Sequence, residues 1–220
     1  MTQAFLLSFK LAALTSLTLL LVGVPLAYLL VFNDFRGRRL LESLLLLPLT
    51  LPPTVLGFYL LVALAPSGPL GRIGLRWAFS FAGIWLGSTL YSLPFALTAY
   101  REAFRVIDPE VLDVVRTLGV SRLQRWKKVL IPWIWPGLLS GTLLAFAHTL
   151  GEFGVVLLVG GNIPGKTRVA SIYIFDLAQS LNLSAAHRAA AIFVLISFAL
   201  VYTVRSLEEK WRLPTASPRR

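Results

Sequence analysis

The chain has 220 residues, 56% of them hydrophobic and only 14% charged, with a mean hydropathy of +0.75 and a formal net charge of +11. A soluble domain carries about 25% charged residues, so this composition excludes an ordinary soluble domain and places one domain in a bilayer. The sequence has no cysteine, which excludes disulfides and thiolate metal sites, and His148 and His187 are too far apart to begin a metal cluster.

A helix needs about 20 predominantly apolar residues to cross the hydrocarbon. Five segments qualify: about 11–32, 43–65, 79–100, Ile131 to about Val159, and 189–205. The fold class is therefore all-α, a polytopic bundle of about five spans. The first segment is too long for the apolar stretch of a signal peptide and no small-x-small cleavage site follows it, so it reads as a retained span. Pro48, Pro52 and Pro53 fall inside the second span, and Pro25 and Pro94 interrupt the first and third. A proline frees a carbonyl and kinks the axis, which spanning helices tolerate where neighbours or a cavity satisfy the freed group. The alternatives are kinks in a static bundle or broken helices lining a path. Gly137 and Gly141 form G-x-x-x-G at the start of the fourth span. That spacing lets helices approach closely, within one chain or across a dimer. The transmembrane domain runs over 1–212, and the tail 213–220 reads as disordered.

Fifteen of the twenty-one Lys and Arg residues lie in 33–39, 101–130 and the C-terminal tail. The positive-inside rule puts those three stretches in the cytoplasm and the N-terminus outside. The basic residues form no continuous patch, so they belong to membrane borders and lipid head groups and not to nucleic acid.

Residues 160–167, "GGNIPGKT", match the phosphate-cradling pattern G-x-x-x-x-G-K-[ST]. That loop needs a strand before it, a helix after it and a parallel sheet around it. Here it follows the fourth span on the outer side, and "SIYIFD" at 171–176 begins too soon to be a neighbouring strand. It reads as a Gly- and Pro-rich turn leaving a membrane helix.

The segment 101–130 carries helix signals of another kind. Asp108-Pro109-Glu110 is a helix start, and the helix can run to Leu118. Gly119 suits a left-handed stop, and Ser121 with Gln124 is a capping box for a second helix. Leu112, Val115 and Leu118 make an apolar ridge among basic residues. This is either an interfacial helix pair or a docking element for a cytoplasmic partner.

The stretch "DVVRTLGVSRLQRWKKVLIP" resembles the signature E-A-A-x-x-x-G-x9-I-x-L-P of ABC-transporter permeases. Asp113, Val114 and Val115 stand where that family has E-A-A, and Gly119, Val129, Ile131 and Pro132 keep the spacing of the rest. The resemblance implies a coupling helix seated on a separate ATP-binding subunit, with Asp113, Val114, Val115, Arg116, Gly119, Val120 and Arg122 at the contact. "LPLTLPPTVLGFYLL" at 47–61 and "HTLGEFGVVLLVGGNIPGKTRVASIYIFD" at 148–176 are similar to permeases of the molybdate importer type, with sulfate and tungstate permeases as relatives. This likeness covers about 11–205. It implies an inner-membrane subunit that performs no chemistry and holds no cofactor or metal. Two copies would form the path, two ATP-binding subunits would dock in the cytoplasm, and an extracytoplasmic binding protein would deliver the oxyanion.

A tetrahedral dianion must be held weakly enough to leave, which favours hydroxyl and backbone N–H donors over a fixed lysine. Thr50, Thr54, Ser88, Thr89 and Ser92 lie in suitable spans, although such hydroxyls often bond only their own backbone. Glu152 is the one acid deep in an apolar segment. A carboxylate repels an oxyanion, so it is expected to pair with His148, Lys166 or Arg168, or to cap backbone donors, and to hold the outer gate. An ATP-independent secondary transporter would show inverted repeats, which the sequence lacks. A membrane enzyme would need more titratable groups within the bilayer than one Glu and one His.

Overall fold

The computed structural model describes residues 1–211 apart from 109, 111–113, 116, 118 and 120. The described elements are helices without a strand. In chain order they are α1 (Thr2–Phe32), α2 (Arg38–Leu46) running into a tight turn at Leu47–Leu49, α3 (Pro53–Leu64), α4 (Pro69–Arg72) and α5 (Phe81–Arg105). After the partly described segment come α6 (Arg122–Arg125), a wide turn at Trp126–Leu130, α7 (Ile131–Gly151), α8 (Gly154–Gly160), α9 (Ala170–Gln179) and α10 (Leu183–Trp211).

Four stretches are long and apolar enough to cross a membrane: Thr2–Phe32, Pro53–Arg72, Leu123–Gly151 and Leu183–Ser206. The third predicted span, α5, has 25 residues, about 38 Å at 1.5 Å per residue. It carries Ser88, Thr89, Ser92 and Thr98 and is accordingly less apolar. The reason is its place at the centre of the bundle, between α1 and α7, where it meets protein in place of lipid. The count of about five spans holds in that sense.

The main core joins Leu19, Ala27 and Leu30 of α1, Leu97, Tyr100 and Phe104 of α5, and Leu130, Ile134 and Leu138 around α7. Tyr28, Phe32, Phe104 and Trp126 close it at the basic end with ring centroids 5.0–6.2 Å apart. The G-x-x-x-G pair resolves to a contact within one chain. A Cβ at Gly137 would come within 2.5 Å of the Ala103 Cβ, and one at Gly141 within 2.8 Å of the Ala99 Cβ. These glycines let α7 lie directly on α5.

Several boundaries differ from the sequence reading. Helix α1 starts at Thr2, well before 11, and α10 runs from Leu183 to Trp211. Pro25 and Pro94 do not interrupt their helices, which continue through them. A single proline costs one backbone bond, and packing on both sides holds the helix together around it. The second and fourth spans, by contrast, are both broken. The tail 213–220 lies outside the described residues.

Candidate functional site

The two breaks lie side by side. In the second span the chain leaves its tight turn at Thr50, extends through Pro52 (φ −54°, ψ 135°) and restarts as α3 at Pro53. In the fourth, α7 ends at Gly151, Glu152 is extended (φ −67°, ψ 136°), and α8 starts at Gly154. Helices α3 and α8 then pack together. A Cβ at Gly154 would sit 2.8 Å from the Pro53 Cβ, and one at Gly57 3.0 Å from the Leu158 Cβ. The two short helices thus begin at one place.

Glu152 explains the second break and corrects the expectation that a single helix runs through it. Its carboxylate Oε1 accepts the backbone N–H groups of Val155 (2.8 Å) and Val156 (3.3 Å), donors that a helix start leaves without intrahelical partners. Oε2 accepts the Ser88 hydroxyl at 3.3 Å. The Glu152 carbonyl accepts the Ser171 hydroxyl at 2.7 Å. Of the partners proposed from sequence, the backbone donors are the ones the carboxylate takes. The residue is 5% exposed, and its carboxyl group lies at the N-terminal end of α8, where the first backbone N–H groups point out of the helix.

His148 is held separately. Its Nδ1 lies 2.9 Å from the Ser92 hydroxyl, which also meets the Thr149 hydroxyl at 2.9 Å. The imidazole stacks on Phe95 with centroids 3.9 Å apart. Ser88 and Ser92 therefore tie α5 to the end of α7 and to the break.

The six path candidates differ in exposure, Thr89 being partly buried. Ser88, Ser92 and Glu152 are buried within one chain. Thr50 and Thr54 are exposed on the outer face of the broken second span. Two of the hydroxyls bond their own backbone: Thr50 to the Leu47 carbonyl at 3.0 Å and Thr89 to the Trp85 carbonyl at 2.7 Å. A single chain does not bring all six to one surface.

The "GGNIPGKT" stretch is a turn between helices α8 and α9, with Gly161 in the left-handed region (φ 66°) ending α8. The buried Thr167 hydroxyl donates to the Gly160 carbonyl at 2.7 Å and accepts the Ile163 N–H at 2.9 Å. Asp176 accepts the Asn162 side-chain amide at 2.8 Å, and Arg168 donates to the Asn162 oxygen at 2.7 Å. Lys166 is exposed. "SIYIFD" is part of a helix. The surroundings of a nucleotide loop are missing from this part of the chain.

In the segment proposed for docking, the Asp108 carboxylate accepts the Glu110 N–H at 2.9 Å. Gly119 is left-handed (φ 68°), and Ser121 and Gln124 exchange both bonds of the capping box, each at 3.3 Å. Val114 is exposed and Val115 partly buried. Pro109, Leu112, Asp113, Arg116, Leu118 and Val120 lie outside the described residues, as does the side chain of Arg122. No group of His, Cys, Asp and Glu suited to a metal occurs among the described residues.

Sequence reasoning missed the partners that are remote in the chain: Ser171 on Glu152, Asp176 on Asn162, and Glu42 of α2, which accepts from Arg101 of α5. Only the glycines flanking Glu152-Phe153 could have signalled the second break.

Residues 19–212 match the family of binding-protein-dependent transport system inner membrane components. The chain is 42% identical over 205 residues to a molybdenum transport system permease protein, ModB, of Azotobacter vinelandii, covering 91% of each chain. It is 32% identical over 193 residues to a sulfate transport system permease protein, CysT, of Salmonella typhimurium, covering 86% of this chain and 70% of that one. Its fold superposes with a TM-score of 0.78 on a crystal structure of a bacterial ABC transporter involved in the import of the acidic polysaccharide alginate, at 18% identity, covering 96% of this chain and 80% of that one.

Proposed function

The chain belongs to the family of binding-protein-dependent transport system inner membrane components, and we propose that it is the permease subunit of an ATP-driven importer of molybdate. The greater likeness to the molybdenum permease than to the sulfate permease supports the choice of anion. Sulfate and tungstate are the alternatives within the same machine.

The observation that carries the mechanism is the pair of abutting breaks. Thr50 and Thr54 put hydroxyl groups on an exposed, otherwise apolar face beside the start of α3. Neither lipid nor the rest of this chain offers them an anion. A second copy facing them would enclose a path lined by hydroxyls, which supports a homodimer. The Thr50 proton goes to the Leu47 carbonyl, so Thr54 is the donor on this face, and a hydroxyl donor holds a dianion without trapping it. Glu152, fixed by three donors behind that face, keeps α8 against α3 and holds the outer gate. Its place at the start of α8 leaves the oxyanion to the hydroxyls.

The basic stretches 33–39 and 101–130 and the C-terminus lie in the cytoplasm, with the N-terminus outside. The left-handed Gly119 and the Ser121–Gln124 cap support a rigid docking element for ATP-binding subunits over 108–128. ATP is hydrolysed on those subunits, and the docked helices switch the bundle between outward-open and inward-open arrangements. The family's dependence on binding proteins supports an extracytoplasmic oxyanion-binding protein as supplier.

Uptake of labelled molybdate tests this in cells that lack their own high-affinity system and carry the chain with its ATP-binding and binding-protein partners. Gly119→Asp serves as the uncoupled control. Uptake that the substitution abolishes and excess sulfate spares is the expected result. Uptake blocked by sulfate changes the cargo, and uptake without an ATP-binding subunit overturns the importer reading.

A further inference from the structure

Helix α2 is tied to the central helix by one carboxylate. Glu42 Oε1 accepts Arg101 Nη2 of α5 at 3.1 Å and Arg38 Nε of its own helix at 3.1 Å. Arg38 also reaches Asp34. The four members differ in exposure. Asp34 is 95% exposed, whereas the Arg101 side chain is only 14% and the Glu42 side chain 24% exposed. The Arg101 Nε is buried with no hydrogen-bond partner among the described residues, so Glu42 is the anion that balances this guanidinium. Leu41 and Leu45 seat the same helix on the main core.

The location gives the contact its meaning. Glu42 lies one turn before the end of α2, which passes directly into the turn Leu47–Leu49 and the break at Thr50–Pro52. Arg101 lies one turn before the end of α5, which leads into the segment that starts at Asp108. The turn at Leu47–Leu49 also rests on α5. A displacement of the 108–130 segment therefore reaches the broken second span by a short route, along the last turn of α5, across Arg101 and Glu42, and up α2.

We propose that Glu42 is a positioning residue of transport: an ionic clasp with Arg101 that makes the break bearing Thr50 and Thr54 follow the docking segment. This rests on the importer reading above. A carboxylate shared between two guanidinium groups suits the task. It holds a fixed geometry while Arg101 stays partly buried, and removing it leaves two like charges facing each other at the junction.

The test is a reconstituted complex of this chain with its ATP-binding subunits and binding protein, in which ATP hydrolysed and anion imported are measured together. Molybdate, sulfate and tungstate are each offered. A wrong cargo then shows in the wild-type protein, and a wrong clasp shows only in the variants. Glu42→Gln and Arg101→Gln are expected to raise the ATP consumed per anion by about fivefold or more, the lower range of a coupling free energy. The double variant should be no worse than either single one, because both remove the same contact. Arg38→Gln, which loses the more exposed arm, should change the ratio less. If Glu42→Gln does not assemble, Arg101→Lys carries the same test, since it keeps the charge and loses the planar fork. Variants in which import and ATP hydrolysis fall in parallel, with the ratio unchanged, overturn the proposal, as do single effects that add in the double variant.

Discussion

Glu152 allows a quantitative test of the second break. Replacing it with alanine removes the acceptor of two buried backbone N–H groups, those of Val155 and Val156. Each orphaned donor costs about 1–3 kcal/mol, and losing a helix N-cap costs about 0.5–2 kcal/mol in soluble hosts. The Ser88 hydroxyl can turn to its own backbone and adds little. The cap figure describes the same two bonds and is not added; at the lower part of the donor range, about 1.5 kcal/mol each, the cost is about 3 kcal/mol, which at about 2–4 °C per kcal/mol for a chain of this length lowers the melting temperature by about 6–12 °C. Glutamine should behave differently. Both N–H groups converge on Oε1 alone, so a carboxamide oxygen keeps them, and its NH₂ group can donate to the Ser88 hydroxyl. The glutamine variant should therefore lose no more than about 1 kcal/mol, the scale of one net hydrogen bond. Melting of the purified chain in detergent, followed by the fluorescence of its six tryptophans, should rank wild type, Glu152→Gln and Glu152→Ala in that order, with the wide gap before alanine. An alanine variant that melts with the wild type, or a glutamine variant as weak as alanine, would refute the capping role.

Three further outcomes follow from the geometry. Gly141→Leu drives a side chain into Ala99 and the ring of Tyr100 and should destabilise the bundle by about 1–3 kcal/mol, read in the same melting experiment. Thr167→Val leaves the Gly160 carbonyl and the Ile163 N–H without their shared hydroxyl and should cost about 1–3 kcal/mol, whereas Thr167→Ser should cost less than half of that. Thr54→Val keeps the shape of an exposed position and should leave melting unchanged while lowering anion uptake in cells. Unchanged uptake would remove Thr54 from the path.

What the sequence disclosed depended on how local the cause was. The spans follow from runs of apolar residues, and the Ser121–Gln124 cap from two side chains three positions apart, so both were readable. The prolines were readable only in part. Pro48, Pro52 and Pro53 act together and break the second span, while Pro25, Pro94 and Pro136 stay within continuous helices, because there packing maintains what one missing N–H weakens. The break at Glu152 was hidden inside an apolar run. It is held open by Ser88 and Ser171, 64 and 19 positions away, and no periodicity reports such partners. The clasp of Glu42 with Arg101, 59 positions apart, was hidden for the same reason. Each charge on its own looked like ordinary border residues.

The abutting starts of α3 and α8 bear on how the chain is made. Helix α3 has 12 residues and α8 has 7, about 18 and 10 Å of helix, against a hydrocarbon layer about 30 Å thick. Neither covers that distance alone, and the extended residues before each expose backbone groups that hydrocarbon does not satisfy. The stretch Pro53–Arg72 is long enough to cross, but the extended residues ahead of α3 stay unsheltered until α8 packs against it. The break waits for residues 154–160, about a hundred positions later, which at about 5–20 residues per second is a delay of roughly 5–20 seconds. During that interval the insertion machinery, or water beside it, has to shelter the break. Biogenesis of this chain is thus a matter of holding an unfinished half until its counterpart emerges.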